Sequence, residues 1–353
     1  MPRSKKIVIT GTHLTPALEF IRQLQNDPDI NWEIYYIGRI HNSGVNSTPA
    51  IESKLISKIK IKYFGIDCGK FDRRWFPNTL SGIPQTFSAF FKAFRILELI
   101  EPHLVLSFGG YLSVPVVFAA AIKGIPSVTH EQTPTLSLST RLNSLFSKYV
   151  ALSFPPSSPR KRGPKYIVTG NLLRQAIFSQ KSPIFTKLKI DKPIIYVTGG
   201  NQGSLSINNL LKKSLPLLTK NYFIIHQYGQ KSKPKTSQNY LPLAYINSQN
   251  IGWVLNRASL IISRAGANTC QEIVALKIKS ILIPLLTSQQ DEQLKNADYV
   301  KSLQPDITII IPEKNLNPKI LQESIAKLLI INSPKSSPVA QENLKLLKLI
   351  KTI

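Results

Sequence analysis

The sequence predicts an α/β fold of two doubly wound parallel-sheet domains facing a cleft, and three observations point there. At 353 residues the chain exceeds the usual reach of one hydrophobic core. Short β-branched runs alternate with longer amphipathic segments throughout, which is how parallel sheets with helical crossovers read. The alternation stops once, at the Pro- and Ser-rich Ser153–Lys165, and starts again beyond it.

Taken in order, the strands expected in the first half are Ile7–Thr10, Trp32–Ile37, Ile59–Phe64, Leu104–Phe108, Ser127–His130 and Tyr149–Leu152, with a short Tyr166–Val168 after the break. Those expected in the second half are Ile194–Thr198, Tyr222–Gln227, Leu260–Ser263, Ser280–Ile283 and Ile307–Ile311. The closing stretch Val339–Ile350, carrying Leu344, Leu346, Leu347 and Ile350, reads as one amphipathic helix. The reading is therefore a Rossmann-like domain over residues 1–170, a second over 171–335, and a final segment, 336–353, able to pack back on the first. Open α/β sheets bind ligands beyond the carboxyl ends of their strands, so the chemistry is sought in the loops there.

Composition narrows the partners. The net charge of +26 suggests an anionic one, yet residues 1–170 hold 21 Lys and Arg against 10 Asp and Glu, and residues 171–353 hold 24 against 9. So even a spread leaves no basic tail, and anionic lipid headgroups fit it better than nucleic acid. Cys68 and Cys270 lie far apart with no metal-ligand spacing, so neither a disulfide framework nor a zinc site is expected. The start, MPRSKKIVITG, runs straight into a strand without a signal-peptide core, and no apolar run reaches the ~20 residues a spanning helix needs. Cytoplasmic residence with peripheral membrane contact is the expectation.

Polar and glycine-rich residues gather at the strand ends. Thr10-Gly11-Thr12-His13 follows the first strand and precedes a helix that Pro16 can start; it offers N–H groups and hydroxyls to an anion, with His13 a possible general base. A plain strand-to-helix connector is the competing reading. Gly109-Gly110-Tyr111 follows the fourth strand, and His130-Glu131-Gln132-Thr133 the fifth. In the second half, Gly199-Gly200-Asn201-Gln202-Gly203-Ser204 reads as a diphosphate cradle at a helix N-terminus. Ser263-Arg264-Ala265-Gly266-Ala267-Asn268-Thr269 follows a later strand. Glu272 comes one turn on and can accept ribose hydroxyls. Gln289 to Gln293, with Asn296, make a last polar cluster, which by itself also suits a solvated helix start.

In order and spacing these pieces, with Gly170-Asn171-Leu172-Leu173-Arg174, resemble glycosyltransferase family 28. Its lipid-acceptor branch moves N-acetylglucosamine from its UDP donor onto the lipid-linked precursor of peptidoglycan. The resemblance covers essentially the whole chain and implies the GT-B fold. It places Arg174, Gly199, Gly200, Asn201, Gln202, Gly203, Ser204, Asn208, Arg264, Gly266, Ala267, Thr269, Glu272 and Gln293 at the UDP-N-acetylglucosamine donor. Within that set Arg174 would meet the diphosphate and Glu272 the ribose. It places Thr10, Gly11, Thr12, His13, Gly109, Gly110, Tyr111, His130, Glu131 and Thr133 at the undecaprenyl-pyrophosphoryl acceptor, lipid I. It further implies inverting transfer to a C4 hydroxyl. The sequence offers no Asp-x-Asp pair at a strand end and no Cys/His ligand cluster, so no metal or other cofactor is expected, and His13 is the first candidate general base with Glu131 the second. The chain departs from the family where Ile9-Thr10-Gly11-Thr12-His13 replaces a turn with two more glycines, where Thr133 replaces Asn, and where Asn201 replaces Ser.

Between Arg73 and Arg95, the aromatics Trp75, Phe76, Phe87, Phe90, Phe91 and Phe94 interleave with Arg73, Arg74, Lys92 and Arg95, which suits a headgroup interface. The alternative is that Phe87, Phe91 and Phe94 form the buried stripe of an ordinary helix. Rival functions are a transferase using another lipid acceptor such as diacylglycerol, and a noncatalytic nucleotide-sugar-binding subunit.

Overall fold

The computed structural model describes residues 3–40, 56, 59, 61–69, 76–155, 163–200, 202–229, 234–285, 291–332 and 343–353. The chain divides into two compact units, Met1–Leu172 with Asn343–Ile353, and Leu173–Glu342.

In the first unit, β1 (Arg3–Thr10), β2 (Ile30–Arg39), β3 (Lys62–Ile66), β4 (Leu104–Ser107), β5 (Ser127–Glu131), β6 (Tyr149–Leu152) and β7 (Tyr166–Val168) form one sheet in the order β3-β2-β1-β4-β5-β6-β7. All its pairings are parallel. The connecting helices are α1 (Leu14–Gln25), α2 (Phe76–Ile100), α3 (Ser113–Ile122) and α4 (Leu138–Phe146). Successive residues of a strand face opposite sides, and here both sides are covered. Thus Ile7, Ile9, Leu104 and Leu106 pack with Phe20 and Leu24 of α1, whereas Val8 and Val105 pack with Ala93 and Leu97 of α2 and Val116 of α3.

The terminal helix Lys345–Lys351 adds Leu346, Leu347 and Ile350 to the cluster on the α1 side. Lys351 Nζ donates to Asp29 Oδ2 at 2.7 Å and also pairs with Asp27. Asn343 donates to the carbonyls of Thr169 at 2.8 Å and Asn171 at 3.0 Å, tying the returning chain to the end of β7.

The second unit repeats the plan. Here β8 (Ile194–Thr198), β9 (Phe223–Gln227), β10 (Tyr240–Leu243), β11 (Ala258–Ser263), β12 (Ser280–Leu282) and β13 (Thr308–Ile310) lie in the order β10-β9-β8-β11-β12-β13, again parallel. The helices are α5 (Leu205–Asn221), α6 (Ser248–Arg257), α7 (Ala267–Leu276), α8 (Glu292–Leu303) and α9 (Pro318–Ile330). Ile194 and Tyr196 join one face's core; Ile195 and Val197 join the other's.

The differences from the sequence reading have local causes. Strand β10 is not expected from the sequence because Pro242 interrupts its short apolar run; it sits at the sheet edge, where a missing N–H is tolerated. The third strand begins at Lys62 rather than Ile59, and the last helix at Lys345, residues 339–342 lying outside the described ones. Along α2 the buried stripe is Ala89, Ala93, Leu97 and Ile100, while Phe87 is 65% and Phe91 57% exposed. The buried-stripe alternative therefore fails for those two rings, because alanines take the inner face. Among the described residues no helix is long and apolar enough to cross a membrane.

Candidate active site

In each sheet the strand order reverses beside the first strand, between β1 and β4 and between β8 and β11. A crevice opens at such a point, which is where doubly wound folds bind ligands.

In the second unit a cavity of about 650 Å³ occupies that position. Of the fourteen donor residues expected from the sequence, ten line it: Gly199, Gly200, Gln202, Gly203, Ser204, Asn208, Arg264, Gly266, Thr269 and Gln293. The loop after β8 can follow its path because Gly203 has φ +77°, and a β-carbon there would stand 2.1 Å from the Tyr228 carbonyl oxygen. Ser204 caps α5, its hydroxyl accepting from Ile207 N–H, so the positive end of that helix opens at the cavity. Arg264 donates to the Ile283 carbonyl at 3.2 Å, to Ser206 Oγ at 2.8 Å and to Glu313 Oε1 at 2.6 Å, and this pairing holds the Glu313 carboxyl below its ordinary range. Gln293 Oε1 accepts from Leu285 N–H at 3.0 Å, while Asn296 donates to the Ala265 carbonyl at 3.1 Å, fixing the start of α8 against the loop before α7.

Three more of the expected residues do not line this cavity, and Asn201 lies outside the described residues. Ala267 begins α7 without lining the cavity. Arg174 and Glu272, expected at the diphosphate and the ribose, pair with each other: Arg174 Nε donates to Glu272 Oε1 at 2.9 Å, and Nη2 reaches the same oxygen. Burial pushes the Glu272 carboxyl upward, with Arg174 opposing. Spacing along the chain gave no hint of a pair 98 residues apart. Conversely, Tyr228, Ser206 and Glu313 line the cavity unanticipated. Tyr228 directly follows β9 and Glu313 closely follows β13, so the strand-end rule applied to every strand finds both.

In the first unit the loops after β1 and β4 interlock. Thr12 N–H donates to the Gly109 carbonyl at 3.1 Å, and Thr12 Oγ1 lies 2.0 Å from where a β-carbon on Gly110 would stand. Thr12 thus fills space that a glycine would leave open above Gly110. The His13 ring lies over Gly109. His13 is exposed, yet the protein crowded round its ring lowers its pKa, Glu131 opposing and Arg39 reinforcing that shift. Next to these loops His130, 1% exposed, packs its ring 5.5 Å from that of Phe108 and donates from Nε2 to the Gly170 carbonyl at 3.2 Å. That bond fixes the tautomer, leaving buried Nδ1 without a partner, and burial holds the imidazole down at about 4.

Glu131 is differently employed. Its Oε1 accepts from the N–H groups of Gln132 at 3.0 Å and Thr133 at 3.2 Å, with the Thr133 hydroxyl at 2.8 Å; Oε2 accepts from Ser137 N–H at 2.9 Å. The carboxylate organises the turn after β5. Tyr111 packs against the core between the sheet and α2 and α3. Beyond the same helices, Thr86, Phe87, Phe90, Val114, Pro115, Phe118, Leu142 and Phe146 line a second cavity of about 290 Å³, wholly apolar. Lys92 and Arg95 are exposed on α2; Trp75 lies outside the described residues, and Phe76 begins the helix.

Comparison with known proteins agrees with this plan. Residues 8–152 match the glycosyltransferase family 28 N-terminal domain and residues 194–352 the glycosyltransferase family 28 C-terminal domain. The chain belongs to glycosyltransferase family 28 and is a hexosyltransferase. It is 34% identical, over 98% of its length and 99% of the relative's, to the UDP-N-acetylglucosamine–N-acetylmuramyl-(pentapeptide) pyrophosphoryl-undecaprenol N-acetylglucosamine transferase of Clostridium kluyveri. The same-named protein of Lachnospira eligens is 32% identical, with 98% and 99% covered. Among solved structures, Acinetobacter baumannii MurG superposes with a TM-score of 0.71 at 22% identity, each chain covered fully. The UDP-GlcNAc 2-epimerase from Neisseria meningitidis, bound to UDP-GlcNAc, gives 0.64 at 16%, with 99% of this chain and 100% of that one covered. The fold is the GT-B one; since an epimerase shares it, family membership rather than fold decides the reaction class.

Proposed function

We propose that this enzyme transfers N-acetylglucosamine from UDP-N-acetylglucosamine to the C4 hydroxyl of N-acetylmuramic acid in lipid I, giving lipid II for peptidoglycan synthesis. The observation that carries the reading is the convergence of ten donor-motif residues on one cavity at the switch point of the second sheet. Its relatives bearing that activity in their names match along nearly the whole chain.

The second unit binds the donor. The loop from Gly199 to Ser204 and the N-terminus of α5 face the diphosphate, where backbone N–H groups and the helix dipole offset charge as UDP leaves. Gln293 and Asn208 take polar groups of the donor, and Arg174 with Glu272 acts as one paired unit. The first unit binds the acceptor through the interlocked loops at Gly11 to His13 and Gly109 to Gly110. His13 is the general base: it is exposed at the interlocked loops with its ring over Gly109, whereas both oxygens of Glu131 are already engaged. The acceptor's hydroxyl attacks the anomeric carbon, its proton passes to His13, and UDP departs with inversion. No resident metal or other cofactor takes part, and the rate is expected to survive chelation.

The acceptor's prenyl chain stays in the bilayer, so the enzyme works peripherally at the cytoplasmic face, with Phe87, Phe90, Phe91, Lys92 and Arg95 against anionic lipid. Purified protein given radiolabelled UDP-N-acetylglucosamine should label lipid I and leave diacylglycerol unlabelled, with and without EDTA. Transfer to diacylglycerol, or epimerisation of the donor without transfer, would overturn the assignment.

A further inference from the structure

His226 and Gln227, the last two residues of β9, are 2% and 4% exposed and lie behind the donor cavity without lining it. Neither belongs to a motif that the sequence presents. Gln227 Nε2 donates to the Gly200 carbonyl at 3.1 Å, and Gln227 Oε1 accepts from Ile246 N–H at 3.0 Å. One carbonyl of the glycine loop is thereby tied back to the sheet.

His226 reaches the cavity wall through a directed chain of hydrogen bonds. Asn208, on the first turns of α5, donates from Nδ2 to the Tyr228 carbonyl at 3.1 Å; a carbonyl only accepts, so the amide's orientation is fixed. Its Oδ1 then faces His226 Nε2 at 3.0 Å, and that nitrogen must carry the proton. Nδ1 is left as an acceptor and takes the Tyr240 hydroxyl at 2.9 Å. Reversing the Asn208 amide would set its oxygen against the Tyr228 carbonyl, so the chain has one sense only. Burial pushes the His226 imidazole down to about 4, which keeps the ring in this neutral tautomer at pH 7.

We propose that His226 is a positioning residue of the donor site, holding the Asn208 amide in the orientation that receives the nucleotide diphosphate sugar. This rests on the reading of the second unit's cavity as that site. Tyr240, on the edge strand β10, is the anchor of the relay, so a residue that does not line the cavity sets the geometry of a side chain that does. A positional role of this kind predicts that His226 acts through Asn208 and not independently of it.

Calorimetric titration with UDP tests the coupling. Asn208→Ala should weaken binding, and His226→Leu, which leaves a buried amide oxygen unsatisfied, should weaken it about tenfold. His226→Gln, able to present N–H to Asn208 and an oxygen to Tyr240, should restore binding to within about twofold of wild type. Adding His226→Leu to Asn208→Ala should cost less than about a further twofold, since the relay then has nothing to position. Losses that multiply, wild-type binding by folded His226→Leu, or wild-type binding by Asn208→Ala would each overturn the proposal. Should the leucine variant not fold, Tyr240→Phe carries the same test: it should weaken UDP binding in the wild-type background and have no effect in Asn208→Ala, and equal losses in both would sink the idea. Failure of folded wild-type protein to bind UDP at all would instead remove the donor-site reading on which the proposal stands.

Discussion

Glu272 is 5% exposed and shares its Oε1 with two nitrogens of Arg174, so each charge is satisfied chiefly by the other. Glu272 is the deeper of the two, so removing Arg174 strands its carboxylate, and Arg174→Met should cost about 3–5 kcal/mol of stability by urea unfolding. Replacing both at once, Arg174→Met with Glu272→Leu, should restore most of that stability. If the single and double variants unfold alike, the pair is not a unit. Histidine provides a second residue-scale consequence. His130 and His226 are held near 4 by burial, while an unfolded histidine titrates near 6.5. Below pH 6.5 the unfolded chain gains a proton that the native state refuses, so stability present above 6.5 is lost as pH falls toward 4. Each ring should contribute a loss of about 2 kcal/mol between pH 7 and pH 5. Urea midpoints at the two values should therefore move less in His130→Gln than in wild type, and an unchanged shift would show that His130 does not titrate this way.

At the scale of elements, α2 turns alanines inward and leaves Phe87 and Phe91 outward, beside exposed Lys92 and Arg95. Exposed rings add little to folding, so Phe87→Ser with Phe91→Ser should change stability by under about 0.5 kcal/mol. Vesicle sedimentation should nonetheless lose binding that survives high salt, because screening removes charge attraction but not ring insertion. Equal sedimentation of variant and wild type at high salt would move the membrane patch elsewhere. The sequence made such elements legible where their cause is local. Alternating β-branched runs gave most strands, and the run Gly199 to Ser204 gave a strand-to-helix turn because glycine and a capping serine declare one on the spot. What depended on distant partners stayed hidden. Pro242 masked β10, whose place is set by pairing with β9, and the saturation of Glu131 by its own turn could not be told from a free catalytic carboxylate.

For the molecule as a whole, the first unit is completed by residues that follow the second in the chain. The spread of leucine and isoleucine over the last dozen residues announced a helix, but only its packing shows how much the first unit depends on it. Leu346, Leu347 and Ile350 are buried with Ala17, Phe20, Ile21 and Leu24, and burial of such side chains is worth about 1.5–3 kcal/mol each before entropic costs. Lys351 pairs with Asp27 and Asp29, while Asn343 holds two carbonyls at the end of β7. Deleting residues 343–353 removes all of these at once and touches no residue of the second unit's cavity. The truncated protein should therefore retain UDP binding by calorimetry. It should unfold in two steps in urea, with the earlier transition assigned to the first unit by loss of hydrogen-exchange protection in β1, β2 and β4. Loss of protection spread evenly over both sheets, or UDP affinity falling in step with it, would mean that the terminal helix supports the whole chain and not the first unit alone.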